Sequence, residues 1–92
     1  MGKVVLQGYI IIPKVELDHV TQALQQHIEL TRAEEGCLVF NVTACDHDLS
    51  RYDVYEAFTD RAAFERHQQR VRDSHWGRVT YNVERHYTVS EL

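Results

Sequence analysis

Two periods alternate along this chain. Residues 3–12, Lys3 to Ile12, are rich in β-branched and aromatic side chains and end at Pro13, which predicts a strand. From Glu16 to Ala33, Leu17, Val20, Leu24, Ile28 and Thr31 recur at helical spacing, and Gly36 follows as a stop. Cys37 to Cys45 alternates, placing Leu38, Phe40, Val42 and Ala44 on one face. A polar turn, Asp46-His47-Asp48-Leu49-Ser50, then leads into a strand from Arg51 to Phe58, so these two strands form a hairpin. Thr59 or Asp60 caps a second helix running to about Arg70, and residues 71–78 are irregular or a short helical turn. Val79, Tyr81, Val83, Tyr87 and Val89 alternate with Thr80, Asn82, Glu84, His86 and Thr88, predicting a long last strand.

The order β-α-β-β-α-β predicts an α+β, ferredoxin-like fold in a single domain, 1–92, with both helices on one face of a four-stranded antiparallel sheet. A monomer would keep the other face polar. Here Val39 points away from the side assigned to Leu38 and Phe40, and Tyr9, Ile11, Tyr55 and Ala57 oppose the core side of their strands. An apolar second face on so small a domain predicts a second layer, most simply another copy packed sheet to sheet with two-fold symmetry.

Composition narrows the function classes. Ninety-two residues make one domain with a thin core, and 43% hydrophobic with 26% charged residues is ordinary for a globular protein. A net charge of -4 argues against nucleic acid or an anionic membrane surface as the partner. No apolar run approaches the roughly 20 residues that span a bilayer. No small-residue cleavage site follows an apolar stretch near the N-terminus, so a cytoplasmic location is the default expectation. Cys37 and Cys45 lie on one expected strand about 26 Å apart, whereas a disulfide needs Cα atoms within about 7 Å. They read as two semi-buried small hydrophobes.

Six histidines are candidates for chemistry. His19 and His27 sit between polar neighbours on the first helix, His47 in a turn and His86 on the polar parity of the last strand, all expected to be solvated or at the rim. His67 differs, because Ala63, Phe64, His67 and Val71 form one stripe facing the sheet. A histidine there needs a partner for each ring nitrogen, and on spacing alone it reads as a satisfied core residue. Glu56 shares a parity with Tyr52, Val54 and Phe58, so it too should point inward. A His–Glu pair in an apolar layer can tune a base toward neutral pH, although Glu56 could equally pair with Arg66 or Arg70. His75 could face the same cavity and Trp76 could close its mouth or simply anchor a loop. His67, His75 and Glu56 lack metal-ligand spacing, and no metal is expected. Phosphate loops, GxSxG elbows and Ser-His-Asp spacings are absent.

Glu35-Gly36-Cys37-Leu38 followed by Phe40 and Val42 resembles the second-strand signature of the antibiotic biosynthesis monooxygenase family. Tyr55-Glu56-Ala57-Phe58, with Asp60, Ala63-Phe64 and His67, resembles that family's third-strand and second-helix signature. The resemblance implies a dimeric α+β barrel: a homodimer whose two sheets form a barrel, with a pocket between sheet and helices in each subunit. Carried over by position, His67, Glu56 and Phe58 would line the pocket, with Phe40 and His75 nearby. On that basis His67 and Glu56 are the expected catalytic residues, and Phe40, Phe58, Val54, His75 and Trp76 the expected contacts of a small aromatic or carbonyl substrate. The implied activity is cofactor-independent oxygenation of a quinol or phenol, with a non-oxidative isomerase or a small-molecule-binding module as the alternative. Haem-degrading members carry an Asn where this chain has Gly8 and a Trp where it has Phe58, so haem is not expected.

Overall fold

Each predicted period became an element, with two boundaries displaced. The computed structural model describes residues 2–92. In order, the elements are β1 (Val4–Ile11), α1 (Leu17–Arg32), β2 (Cys37–Cys45), β3 (Asp48–Phe58), α2 (Arg61–Arg72), α3 (His75–Val79) and β4 (Glu84–Glu91), with a 3-10 turn at Lys14–Glu16 leading into α1. The sheet runs β2-β3-β1-β4 with every pair antiparallel, the ferredoxin-like arrangement. Local chemistry fixes the ends of the helices. The Asp60 side chain accepts a hydrogen bond from the Ala63 amide at 2.9 Å, capping α2. Ser74 does the same for α3 through the Gly77 amide at 3.1 Å.

The core fills the layer between helices and sheet. Val4, Leu6 and Ile10 of β1 and Val54 and Phe58 of β3 pack against Val20 of α1 and Ala63 and Phe64 of α2, while the buried Phe40 of β2 meets His27 and His67. Phe58 is wholly buried, edge-on to Phe64 at 5.8 Å between ring centroids. Burying one such ring stabilises the fold by roughly 1.5–3 kcal/mol, so a few side chains carry this thin core. Gly8 has a positional reason: a Cβ there would lie 1.8 Å from the His86 carbonyl oxygen, so β1 and β4 pair closely only because Gly8 has no side chain.

Three sequence expectations need correction. The third strand begins at Asp48, inside the expected polar turn, so that the turn is only Asp46-His47. Leu38 does not face the helices. The β2–β3 register shifts between Cys37 and Val39, so Cys37 takes the position opposite Phe58 and Leu38 is left 53% exposed on a bulge. The last strand begins at Glu84, not Val79. The Ser74 cap starts α3, which takes Val79, and Tyr81 is left exposed in the connection.

The second sheet face is mixed. Tyr9, Ile11 and Val39 are half-buried there and Tyr55 is exposed. Tyr9 stacks on His86 at 4.6 Å and lies under the Arg51 guanidinium at 3.9 Å. Among the described residues no helix is long and apolar enough to cross a membrane.

Candidate functional site

His67 reaches the layer between helices and sheet because its α2 stripe, with Ala63 and Phe64, is buried. Its side chain is 3% exposed, with Phe58 against it at 4.9 Å and Phe40 at 5.9 Å between ring centroids. Both aromatic rings press on the imidazole from the sheet side and limit its rotation.

The ring's polar contacts differ from those expected. Nδ1 lies 2.8 Å from Glu34 Oε1, in the connection between α1 and β2. Glu34 is fixed in turn by the Arg70 guanidinium through its other oxygen, and Arg70 also donates to Thr31 Oγ1 at 2.9 Å. Glu56 sits on the other side, its Oε1 3.6 Å from Nε2, too far for a hydrogen bond. Glu34, not Glu56, therefore orients the histidine, and Arg70 belongs to Glu34 rather than to Glu56.

Charge states follow from the surroundings. Burial lowers the His67 pKa below its usual value, with the Glu34 carboxylate opposing that shift, so the ring is neutral at pH 7. A neutral ring that donates Nδ1–H to Glu34 presents a bare lone pair at Nε2. Glu56 is 6% exposed, and burial, reinforced by the Glu34 charge, raises its pKa to about 8. It is thus protonated at neutral pH, and its Oε1 is buried without a hydrogen-bond partner. An unprotonated imidazole and a protonated carboxylic acid stand side by side, one able to take a proton and the other to give one.

Both groups open onto a cavity of about 370 Å³, whose walls include Leu6, His27, Trp76, Arg85 and Tyr87. His27 is 5% exposed, stacked on the Trp76 indole at 4.6 Å with an interplanar angle of 5°. Burial, with the charge of His67 adding, lowers the His27 pKa to about 3, and its Nδ1 has no hydrogen-bond partner. Burial and the Glu56 carboxylate push the Tyr87 hydroxyl up to about 12, so it remains a donor.

Other candidates are placed as follows. Phe40 and Val54 line a crevice of about 20 Å³ beneath the cavity, with Glu56 and Tyr87. Phe58 lies behind His67, fully buried. Trp76 walls the cavity. His75 is exposed and lines a separate groove with His19 and Arg78, because it sits at the first turn of α3 rather than on the face toward the sheet. His27 corrects the expectation of a solvated residue: the buried stripe of α1 is Val20, Leu24, His27 and Thr31. Among the described residues no group of three His, Cys, Asp or Glu side chains is arranged to hold a metal ion.

Glu34 was legible through a rule it breaks. Carboxylates are disfavoured at the negative end of a helix, yet Glu34 and Glu35 follow α1 directly, which asks for a tertiary partner. Arg85 breaks another rule by falling on the apolar parity of the last strand, among Val83, Tyr87 and Val89.

The profile of the antibiotic biosynthesis monooxygenase family matches residues 4–76, a span that holds Glu34, Glu56, His67 and Trp76. No curated protein matches the sequence. Among solved structures, a conserved protein from Bacteroides thetaiotaomicron described as a possible oxidoreductase superposes with a TM-score of 0.84 at 12% identity, covering 99% of this chain and 98% of its own. A candidate antibiotic biosynthesis monooxygenase from Nitrosomonas europaea gives 0.79 at 16% identity, covering 99% and 88%. A second Bacteroides thetaiotaomicron protein, described in the same terms, gives 0.79 at 23% identity, covering 99% and 87%. At these identities the structural likeness shows the fold.

Proposed function

The chain belongs to the antibiotic biosynthesis monooxygenase family, and from that premise we propose that it is a cofactor-independent monooxygenase acting on a small aromatic quinol or phenol. The observation that carries the reading is the bare Nε2 of His67, held toward the cavity by the Nδ1 hydrogen bond to Glu34. His67 removes the phenolic proton, and the electron-rich anion then reacts with dioxygen at an unsubstituted ring carbon. A carbon–oxygen bond forms there. The resulting hydroperoxide loses its outer oxygen as water, which takes up the phenolic and ring hydrogens, and the second carbonyl of a quinone remains. One phenol and one dioxygen give one quinone and one water. Leu6, Val71, Trp76 and Tyr87 supply the apolar and aromatic part of the cavity wall beside His67 and limit the access of water to the reacting anion. Oxygen uptake across a panel of quinols and phenols tests this. Uptake with at least one member, lost in His67→Ala, is expected, and no uptake, or unchanged uptake in the variant, rejects it.

One observation favours a second reading. The protonated Glu56 beside the unprotonated His67 is also the acid–base pair that moves a proton α to a carbonyl, as an isomerase on a small carbonyl compound requires. Hydroxyketone substrates that exchange α-deuterium with solvent in the absence of oxygen would favour it.

The apolar residues of the second sheet face support a homodimer. Tyr9, Ile11, Val39 and Tyr55 would meet their counterparts across a two-fold axis. Sedimentation equilibrium should give twice the monomer mass, and a single-chain mass rejects the pairing.

A further inference from the structure

Arg85 is an anomaly on its strand. It lies on the helix-facing parity of β4, opposite Ile10 of β1, where the pattern calls for an apolar side chain. Its guanidinium is held in place. NH1 donates to the Thr80 and Val83 carbonyls at 3.3 and 3.2 Å, and NH2 donates to Thr80 Oγ1 at 2.7 Å. Thr80 is itself fully buried and donates its hydroxyl proton to the Trp76 carbonyl at 2.6 Å. A plain role exists, since a cation beside the last carbonyls of α3 caps that helix. Such a cap uses part of the five-donor fork and neutralises none of the charge. All of its partners are uncharged.

Arg72 lines the same cavity from the C-terminal end of α2, where it donates to Gln69 Oε1 at 2.8 Å. Among the described residues neither guanidinium is paired with a carboxylate. The one acidic lining residue, Glu56, is uncharged at neutral pH. The cavity thus carries two positive charges with no counter-charge, in a chain whose net charge is -4. Both side chains are solvent-exposed at the mouth of the cavity, and two such cations, one of them held by a buried hydroxyl, favour an anion there.

We propose that the ligand of this cavity bears a negatively charged group, a carboxylate or a phosphate, and that Arg85, with Arg72 at the rim, is the specificity-determining contact for it. The inference rests on the reading that an aromatic substrate occupies the cavity, with its hydroxyl at His67 and its anionic group toward Arg85.

Anaerobic calorimetry with three probes tests it: 2,5-dihydroxybenzoate, its methyl ester and phenyl phosphate. The carboxylate should bind at least about tenfold more tightly than the ester, the effect of one hydrogen bond between charged groups, and the preference should shrink with added salt. Arg85→Gln should erase the preference, bringing the affinity for the carboxylate down to that for the ester. Arg85→Lys, which keeps the charge, should restore part of it. Arg72→Gln changes an exposed side chain and keeps the test valid should Arg85→Gln fold poorly; it should reduce the preference. Tighter binding of phenyl phosphate than of the benzoate assigns the group as phosphate, and the reverse order assigns carboxylate. Equal affinity for acid and ester, no binding of either anion, or a preference that survives both Gln variants overturns the proposal. Charge-selective binding without oxygen uptake rejects the oxygenase reading alone. Uptake that is equally fast with acid and ester leaves that reading intact and rejects this one.

Discussion

His67 Nδ1 and Glu34 Oε1 lie 2.8 Å apart, so the residue that sets the tautomer of the buried imidazole comes from the connection after α1, not from the sheet. A hydrogen-bonded carboxylate behind a histidine keeps the opposite nitrogen free and stabilises the ring when it takes a proton. Removing that carboxylate has two separable effects.

Glu34→Gln should lower the His67 pKa further, because the Glu34 charge and hydrogen bond are what raise it against burial. Histidine NMR titration reads this directly. Substrate turnover should fall by about 10-fold or more, less than on loss of His67 itself, because the base remains but its tautomer and basicity are no longer set by a carboxylate. An unchanged titration would refute the assignment of Glu34 as the orienting group.

Glu56 makes the folded state sensitive to alkali. Its pKa is raised from 4.5 to about 8 on folding, so between those values the unfolded chain ionises first and stability is lost as pH rises. Glu56→Gln removes this loss. The variant should match the wild type at pH 4 and exceed it by up to ~3 kcal/mol at pH 7 in urea unfolding. A variant less stable than the wild type at pH 7 would mean that Glu56 is ionised and paired.

His27 acts in the opposite direction. Its pKa falls from 6.5 to about 3 on folding, so the unfolded chain binds a proton first as the solution is acidified. Its contribution is complete above pH 6.5 and is lost toward pH 3, by about 2 kcal/mol at pH 5. His27→Leu should flatten the acid limb of the stability profile. An acid limb of unchanged steepness would place the titration elsewhere.

Trp76→Ala should let water reach His27 by removing the ring stacked on it. The His27 pKa should then rise toward its normal value, and stability should fall by ~0.5–1.5 kcal/mol for the lost stacking alone, more with the lost burial. The same NMR titration decides the outcome, and a His27 resonance that stays neutral to pH 4 in the variant would count against Trp76 as its shield.

The sequence revealed most of the fold because hydrophobic period and turn chemistry agreed for most elements. Pro13, Gly36 and Asp60 mark boundaries close to those observed. Leu38 differs from its expected face because a one-residue bulge leaves strand-like composition intact while breaking the alternation between Cys37 and Phe40, both of which lie opposite core-facing residues of β3. Val79 and Tyr81 were misplaced because their alternation fits a strand, whereas the Ser74 cap turns the chain into a short helix first. In the site, His67 and Glu56 were visible as polar residues on buried parities. His27 was not, since its helical stripe can be drawn equally well through Ile28, and only packing against Trp76 selects one. Arg85 interrupts an apolar alternation that is otherwise intact from Val83 to Val89. Local rules are most often broken where a side chain meets something other than the core.

Glu34 also joins parts of the chain that are far apart in sequence. Its two oxygens hold α2 at His67 and Arg70, and Arg70 reaches back to Thr31 on α1. The group that would tune the base is therefore also a fastener between two helices. Evolution or engineering cannot adjust the basicity of His67 through this residue without loosening the scaffold around it. Variants that keep the fastening but alter the chemistry must be sought on the Glu56 side of the ring, where the nearest oxygen is not yet bonded to anything.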